Sequence, residues 1–174
     1  MNMKLHRVVV TGMSAVTPLG NDLDSSWTNL VNGVSGAAPV TRFDTTGFDT
    51  TFGCEVKGFD PTKFMPAKHA KRMDHFTQFA VAAAHQAVED AAIEILADAD
   101  RIGCSIGTGI GGLGTQEVAH RKLFEAGPDR LNPFWVTALI PNMGAAEVSM
   151  ALGTRGPLTT ECTACAASAM SLGN

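Results

Sequence analysis

Cys162 and Cys165, in the stretch TTECTACAAS (159–168), are the residues whose type and spacing speak most directly of chemistry. A C-x-x-C spacing serves a dithiol redox pair, half of a zinc site, or one nucleophilic thiol with a second cysteine beside it. A zinc site needs a second pair, and Cys54 and Cys104 lie far from each other and from Cys162 in the chain. A thioredoxin-type pair also opens a helix after a strand, but it carries Trp, Pro or Gly close by, and here the neighbours are Thr163, Ala164 and Ala166. Strand alternation puts Cys162 on one face with Leu158, Thr160 and Ala164, and leaves Cys165 where the strand gives way to a run of small residues. A thiol at such a junction meets the first free N–H groups of a helix and its positive end, which favour the thiolate and would also receive an oxyanion. The other reading of Cys165 is a buried, inert cysteine.

Two further constellations are weaker. GTGIGGLG (107–114) contains G-x-G-x-x-G at Gly107, Gly109 and Gly112, but none of the acids downstream, Glu117, Glu125 and Asp129, ends a second strand as ribose recognition would require. The competing expectation is that these glycines let backbone pass close to backbone. The five histidines, His6, His69, His75, His85 and His120, show no metal-ligand spacing, so neither a metal nor a cofactor is expected.

The elements that would position Cys165 alternate between strand and helix. A strand is expected over 7–13 (RVVVTGM), closed by Gly12, and a helix over 21–33 with apolar Leu23, Trp27, Leu30 and Val31 at helical spacing, stopping at Gly33. Residues 34–66 show no sustained period and read as an irregular excursion with one short hairpin around FGCEVKGF (52–59). From Asp74 a long helix carries a stripe of Phe76, Phe79, Ala80, Ala83, Ala84, Ala87, Ala91 and Ile95. A strand over 101–109 leads into the glycine turn, and a helix follows that stops at Gly127. Residues 132–153 are helical in two pieces because Pro141 breaks them. TRGP then turns into the strand LTTECTA, and the pattern as a whole is a layered α/β fold with partly parallel strands.

A chain of 174 residues that is 45% hydrophobic supports one domain with a real core. Its net charge of −4 gives no basic footprint for nucleic acid or for a membrane surface. The apolar run at the start is broken by Thr11, Gly12 and Ser14, so no signal peptide is expected, and no stretch is long enough to span a membrane. Four cysteines without a secretory signal point to reduced thiols in the cytoplasm.

Four motifs taken in order, RVVVTGMSAVTPLG, GTGIGGLG, NPFWVTALIPNM, and TACAAS preceded by RGP and a strand, resemble those of the β-ketoacyl-[acyl-carrier-protein] synthases. The likeness is to the elongating, type II enzymes of fatty-acid synthesis, with polyketide ketosynthases as near relatives. It implies a thiolase-like fold of two α/β halves in a homodimer, and an acyltransferase that performs a Claisen condensation. In that chemistry a cysteine takes an acyl chain from acyl carrier protein, and malonyl carrier protein loses CO2 to give the attacking carbanion. By position the resemblance makes Cys165 the nucleophile, Ile110 the gate of the acyl pocket and Trp135 an aromatic of the acyl channel; the C-x-x-C is then a coincidence of spacing.

Three features depart from the family pattern. Ser168 stands where the elbow usually has Gly, and Glu161 occupies a strand position that is normally small or apolar, where an unpaired buried carboxylate would be costly. Family members also run to more than twice this length and draw two catalytic histidines, a lysine and a gating Phe from the second half. The expectation is therefore an N-terminal half-domain, residues 1–174, ending inside the helix after the nucleophile, unable to condense alone and exposing an apolar face. The second reading is a non-catalytic ketosynthase-like partner that serves dimerisation or carrier-protein docking, and a nucleotide-binding oxidoreductase is a distant third.

Overall fold

The computed structural model describes residues 7–174. The strand expected over 7–13 does not form: Val8, Val9 and Val10 are exposed, Val8 at 90%, and among the described residues no strand lies beside them. β-branched residues supply only the propensity; without a neighbouring backbone the ladder has no second rail. The chain becomes fixed a few residues later, where the Ser14 hydroxyl donates to Ala83 O and the Met13 N–H to Asp90 Oδ2.

Helix α1 (Leu23–Val31) forms within the expected span, with Asp22 as N-cap accepting from the Ser25 N–H. Its buried side is polar. Ser26 donates to Gly20 O and pairs with Thr17 Oγ1, and Asn29 donates to Leu19 O, while Trp27, Leu30 and Val31 are exposed. The carbonyls of the tight Thr17–Gly20 turn need donors, and this requirement overrides the apolar spacing.

Strands β1 (Ala38–Pro39) and β2 (Phe52–Gly53) pair antiparallel. The short hairpin expected around 52–59 has its second strand at 52–53, paired backwards with 38–39, and 54–59 contain no strand. Glu55 closes this excursion by accepting from Thr41 Oγ1 (2.7 Å) and from the Thr41 and Arg42 N–H groups.

Helices α2 (Ala67–Ala70) and α3 (His75–Ala91) are joined by Gln78, whose Nε2 donates to Ala70 O at 2.9 Å. α3 ends at Ala91, before Ile95, because Ala92 takes the left-handed conformation (φ 51°). Its burial is also broader than a single stripe: Thr77, Gln78, Val81 and Ala82 are the most enclosed, and Ala83 and Ala87 meet the N-terminal segment. The core cluster is Met65, Ala70, Val81 and Val148, joined by the half-buried Cys104 and Ile106.

The remaining elements follow the expected order: β3 (Cys104–Gly107), α4 (Leu113–Ala126), α5 (Trp135–Leu139), α6 (Met143–Leu152), β4 (Leu158–Glu161) and α7 (Ala167–Gly173). Pro141 separates α5 from α6, and Gly127 ends α4. β3 and β4 pair in parallel, Cys104 opposite Leu158 and Gly107 opposite Glu161, with α4 to α6 as the crossover. Alternation divides the sheet cleanly. Ile106 faces α6 at Gly144 with α3 beyond, whereas Ser105 and Gly107 face α7. The layers are thus α3 and α6, then the β3–β4 pair, then α7.

Candidate active site

Cys165 lies in a 3-10 turn, Ala164–Ala166, between β4 and α7, and its side chain is exposed. The turn has a distinctive backbone. Ala164 holds φ at +50°, and the Ala166 N–H donates to Thr163 O at 3.1 Å. Positive φ of this size is a region that glycine normally occupies. Alanine in this region costs about 1–2 kcal/mol, so the surrounding packing enforces the elbow.

That packing is visible on the α7 side of the sheet. A Cβ on Gly107 would lie 2.5 Å from the carbonyl carbon and oxygen of Ala167 and 2.7 Å from Ser168 N, so only glycine lets the first turn of α7 sit directly on β3. This close approach is made from the strand, and Ser168 itself points outward and is exposed. Farther along, Ser105 Oγ bonds Ser171 at both its carbonyl (3.0 Å) and hydroxyl (2.9 Å), and Thr159 Oγ1 donates to Ser105 Oγ. Glu161 is half-buried and accepts from Asn174 Nδ2 at 2.8 Å, so the carboxylate feared to be unpaired has a partner.

The glycine turn belongs to the same neighbourhood. Cys162 Sγ points at Gly109 O (3.6 Å), which ties the strand before the elbow to the loop after β3. A Cβ on Gly112 would lie 2.5 Å from Ala138 O, and the Gly112 N–H donates to Leu139 O at 2.8 Å. Gly107 and Gly112 therefore serve close backbone approach, as their competing reading held, whereas Gly109 faces open space. Ile110 is 62% exposed on this turn. Trp135 is half-buried at the start of α5, about 6 Å along the helix axis from Leu139, the residue that touches the turn. The structure thus brings the Ile110 turn up to the strand that leads to Cys165, while Trp135 enters from the far end of α5.

All four cysteines are free, and among the described residues no cluster of His, Cys, Asp or Glu could hold a metal. Burial pushes the Cys104 thiol up from its ordinary range. No described helix is long and apolar enough to cross a membrane.

What the sequence left unseen is the support for this turn. α4 has only Gly112 as its N-cap, and the missing cap comes from elsewhere: Asp74 Oδ2 accepts from the Thr115 N–H (3.1 Å) and from Thr115 Oγ1 (2.6 Å). Asp74 marked the start of the α3 pattern, but nothing in the sequence tied it to Thr115.

An α/β layer with a strained turn between a parallel strand and a helix, an exposed cysteine in that turn and a glycine strand end beneath it define one half of a thiolase-like ketosynthase fold. The N-terminal domain of β-ketoacyl synthases matches residues 5–173, and the chain belongs to that family. It is 46% identical over 168 residues to a 3-oxoacyl-[acyl-carrier-protein] synthase 2 of Staphylococcus aureus (strain COL), covering 96% of this chain and 41% of that protein. The chain thus spans about two fifths of the length of the curated relatives it matches. Among solved structures, a β-ketoacyl synthase from Burkholderia phymatum STM815 superposes with a TM-score of 0.81 over 97% of this chain and 42% of its own, at 24% identity. A type II polyketide ketosynthase in complex with its acyl carrier protein and bound to the hexaketide, AntDE:AntF, superposes with a TM-score of 0.77 at 21% identity, over 95% of this chain and 44% of that one. Both likenesses bear on the fold alone.

Proposed function

We propose that the chain is the acyl-accepting part of a 3-oxoacyl-[acyl-carrier-protein] synthase, with Cys165 as the nucleophile that carries the growing chain as a thioester. The observation that carries this reading is the elbow: an exposed thiol held just after a left-handed alanine and just before a helix seated against β3 through Gly107. Strain retained at such a turn fixes the direction of the side chain before substrate arrives. The thiolate attacks the acyl thioester of a loaded carrier protein, and the carrier's thiolate leaves. Backbone N–H groups of the elbow receive the oxyanion, and Ile110 and Trp135 line the path of the acyl chain.

Acyl carrier protein is the partner this role requires, and in the full-length enzyme a homodimer is the expected assembly. Decarboxylation of the malonyl donor needs groups that stabilise an enolate. Of the four described histidines, His69 stands 3.6 Å from Glu147, His75 stacks on Phe79, and His120 meets Gln116 and Phe124, and none of the four shows a hydrogen bond to the elbow. Those groups belong to the remaining length of the relatives, so this chain alone is proposed to acylate without condensing.

Intact mass spectrometry tests the proposal after incubation with cerulenin or an octanoyl thioester. One adduct, present in wild type and Cys162→Ala and absent in Cys165→Ala, is the expected result. Equal labelling of both cysteines, or none, would sink it.

A further inference from the structure

The link between α2 and α3 holds two structures at once. From Asp74, as described, a carboxylate oxygen reaches across to cap α4 at Thr115, while its other oxygen accepts the Phe76 N–H and caps α3. Two residues earlier, the half-buried Arg72 guanidinium lies over the Phe134 ring, 4.1 Å from its centroid, directly before Trp135. The segment carrying Ile110 and the segment carrying Trp135 are therefore both gripped from the same few residues, on the side away from the thiol. We propose that Asp74 and Arg72 are positioning residues for the acyl site, setting the separation of its two walls and hence the chain lengths that Cys165 accepts. This inference rests on the acyl-accepting role proposed above for Cys165, Ile110 and Trp135.

The geometry explains why the grip acts on the turn. Gly112 precedes Thr115 by three residues, and its N–H is bonded to Leu139 O at the end of α5. A Cβ on Gly112 would also touch Asp74 Cβ at 3.2 Å, so carboxylate, turn and α5 are packed without slack. Removing the Thr115 hydroxyl weakens one of the two ties on the first turn of α4, leaving the loop before it held there by the Gly112 N–H to Leu139 O bond and the remaining Thr115 N–H to Asp74 bond. Gly109 then shifts, and with it the acceptor of the Cys162 thiol.

The test uses Thr115→Val, which keeps shape and removes the hydroxyl donor, Thr115→Ser, which restores it, and the parallel pair Arg72→Ala and Arg72→Lys. Each chain is offered an equimolar mixture of hexanoyl and hexadecanoyl thioesters, and the ratio of the two Cys165 adducts is read by mass spectrometry. Thr115→Val and Arg72→Ala should each change that ratio by about fivefold, the worth of one hydrogen bond for the first and of one cation–π contact for the second, with Thr115→Ser and Arg72→Lys returning toward the wild-type ratio. Iodoacetamide labelling of Cys165 should be the same in all of them. A second arm does not depend on acylation: alkylation of Cys162 relative to the distant Cys54 should rise in Thr115→Val and be rescued in Thr115→Ser. If wild type takes no acyl group, the acyl-accepting role fails and the Cys162 arm alone decides whether Asp74 holds the turn. An unchanged adduct ratio in an acylating Thr115→Val chain overturns the inference, as does an unchanged Cys162 rate or a Thr115→Ser chain that behaves like Thr115→Val.

Discussion

Replacing Gly107 by alanine puts one methyl group where the structure has no room, against backbone that has few ways to yield. The new Cβ would sit 2.5 Å from two atoms of Ala167, and an ordinary contact begins at 3.4 Å, so the start of α7 must retreat by roughly 1 Å. Overpacking of this kind costs about 1–3 kcal/mol. A gain of about 0.4–1 kcal/mol comes from the stiffer unfolded chain, because the φ of Gly107 lies outside the left-handed region. The net expectation is a loss of roughly 1–2 kcal/mol, or a fall in Tm of about 3–8 °C for a chain of this size. Gly109→Ala is the control within the same motif: nothing lies within 4 Å of its Cβ, so it should be neutral or slightly stabilising. Thermal unfolding followed by circular dichroism reads the first effect, and iodoacetamide labelling of Cys165 against Cys54 reads the displacement of the elbow. A Gly107→Ala chain that melts with wild type and labels at the wild-type rate would refute the claim that this contact seats α7. Equal losses in both variants would show that the whole motif is merely intolerant of side chains.

Three other expectations are simpler to check. Hydrogen bonds from Thr41, its hydroxyl first, hold the Glu55 carboxyl below its usual range, so its contribution is present above about pH 4.3 and is lost as pH falls through the lower folded value; amide exchange at Thr41 and Arg42 should accelerate there, and Thr41→Val should remove most of that pH dependence. Cys104, half-buried with a raised pKa, should be the slowest of the four thiols to alkylate at pH 8, a ranking read by peptide mapping. Trp27→Gln should change stability by less than about 0.5 kcal/mol, whereas Ser26→Ala, which loses the bonds to Gly20 and Thr17, should cost about 1 kcal/mol in denaturant titrations.

The parts of the fold that were legible in the sequence are those set by local chemistry. Pro141 divides α5 from α6, Gly127 ends α4, and the passage from β4 to α7 falls where the run of small residues begins. The buried face of α1 was not legible, because apolar spacing measures side chains and says nothing of the Leu19 and Gly20 carbonyls next door, which take donors from Asn29 and Ser26. Val8 to Val10 read as a strand on propensity, but pairing depends on a neighbour that propensity cannot supply. Within the site, the cysteine elbow and the role of its glycines were readable from type and position. The grip of Asp74 on Thr115, across 41 residues, was not, since a cap donated from another helix leaves no trace in the sequence around the helix it caps.

The parallel pairing of β3 with β4 also sets the order in which the molecule can assemble. Cys104 and Leu158 are opposite each other in the sheet, yet the whole of α4, α5 and α6 lies between them in the chain. Closing so long a loop comes late, because its entropy is lost before any ladder bond repays it. The helices form from local contacts first, and the elbow, which follows β4, acquires its shape only when the last strand docks. Until then Cys165 has no fixed direction, so the reactivity of this cysteine reports when β4 has docked.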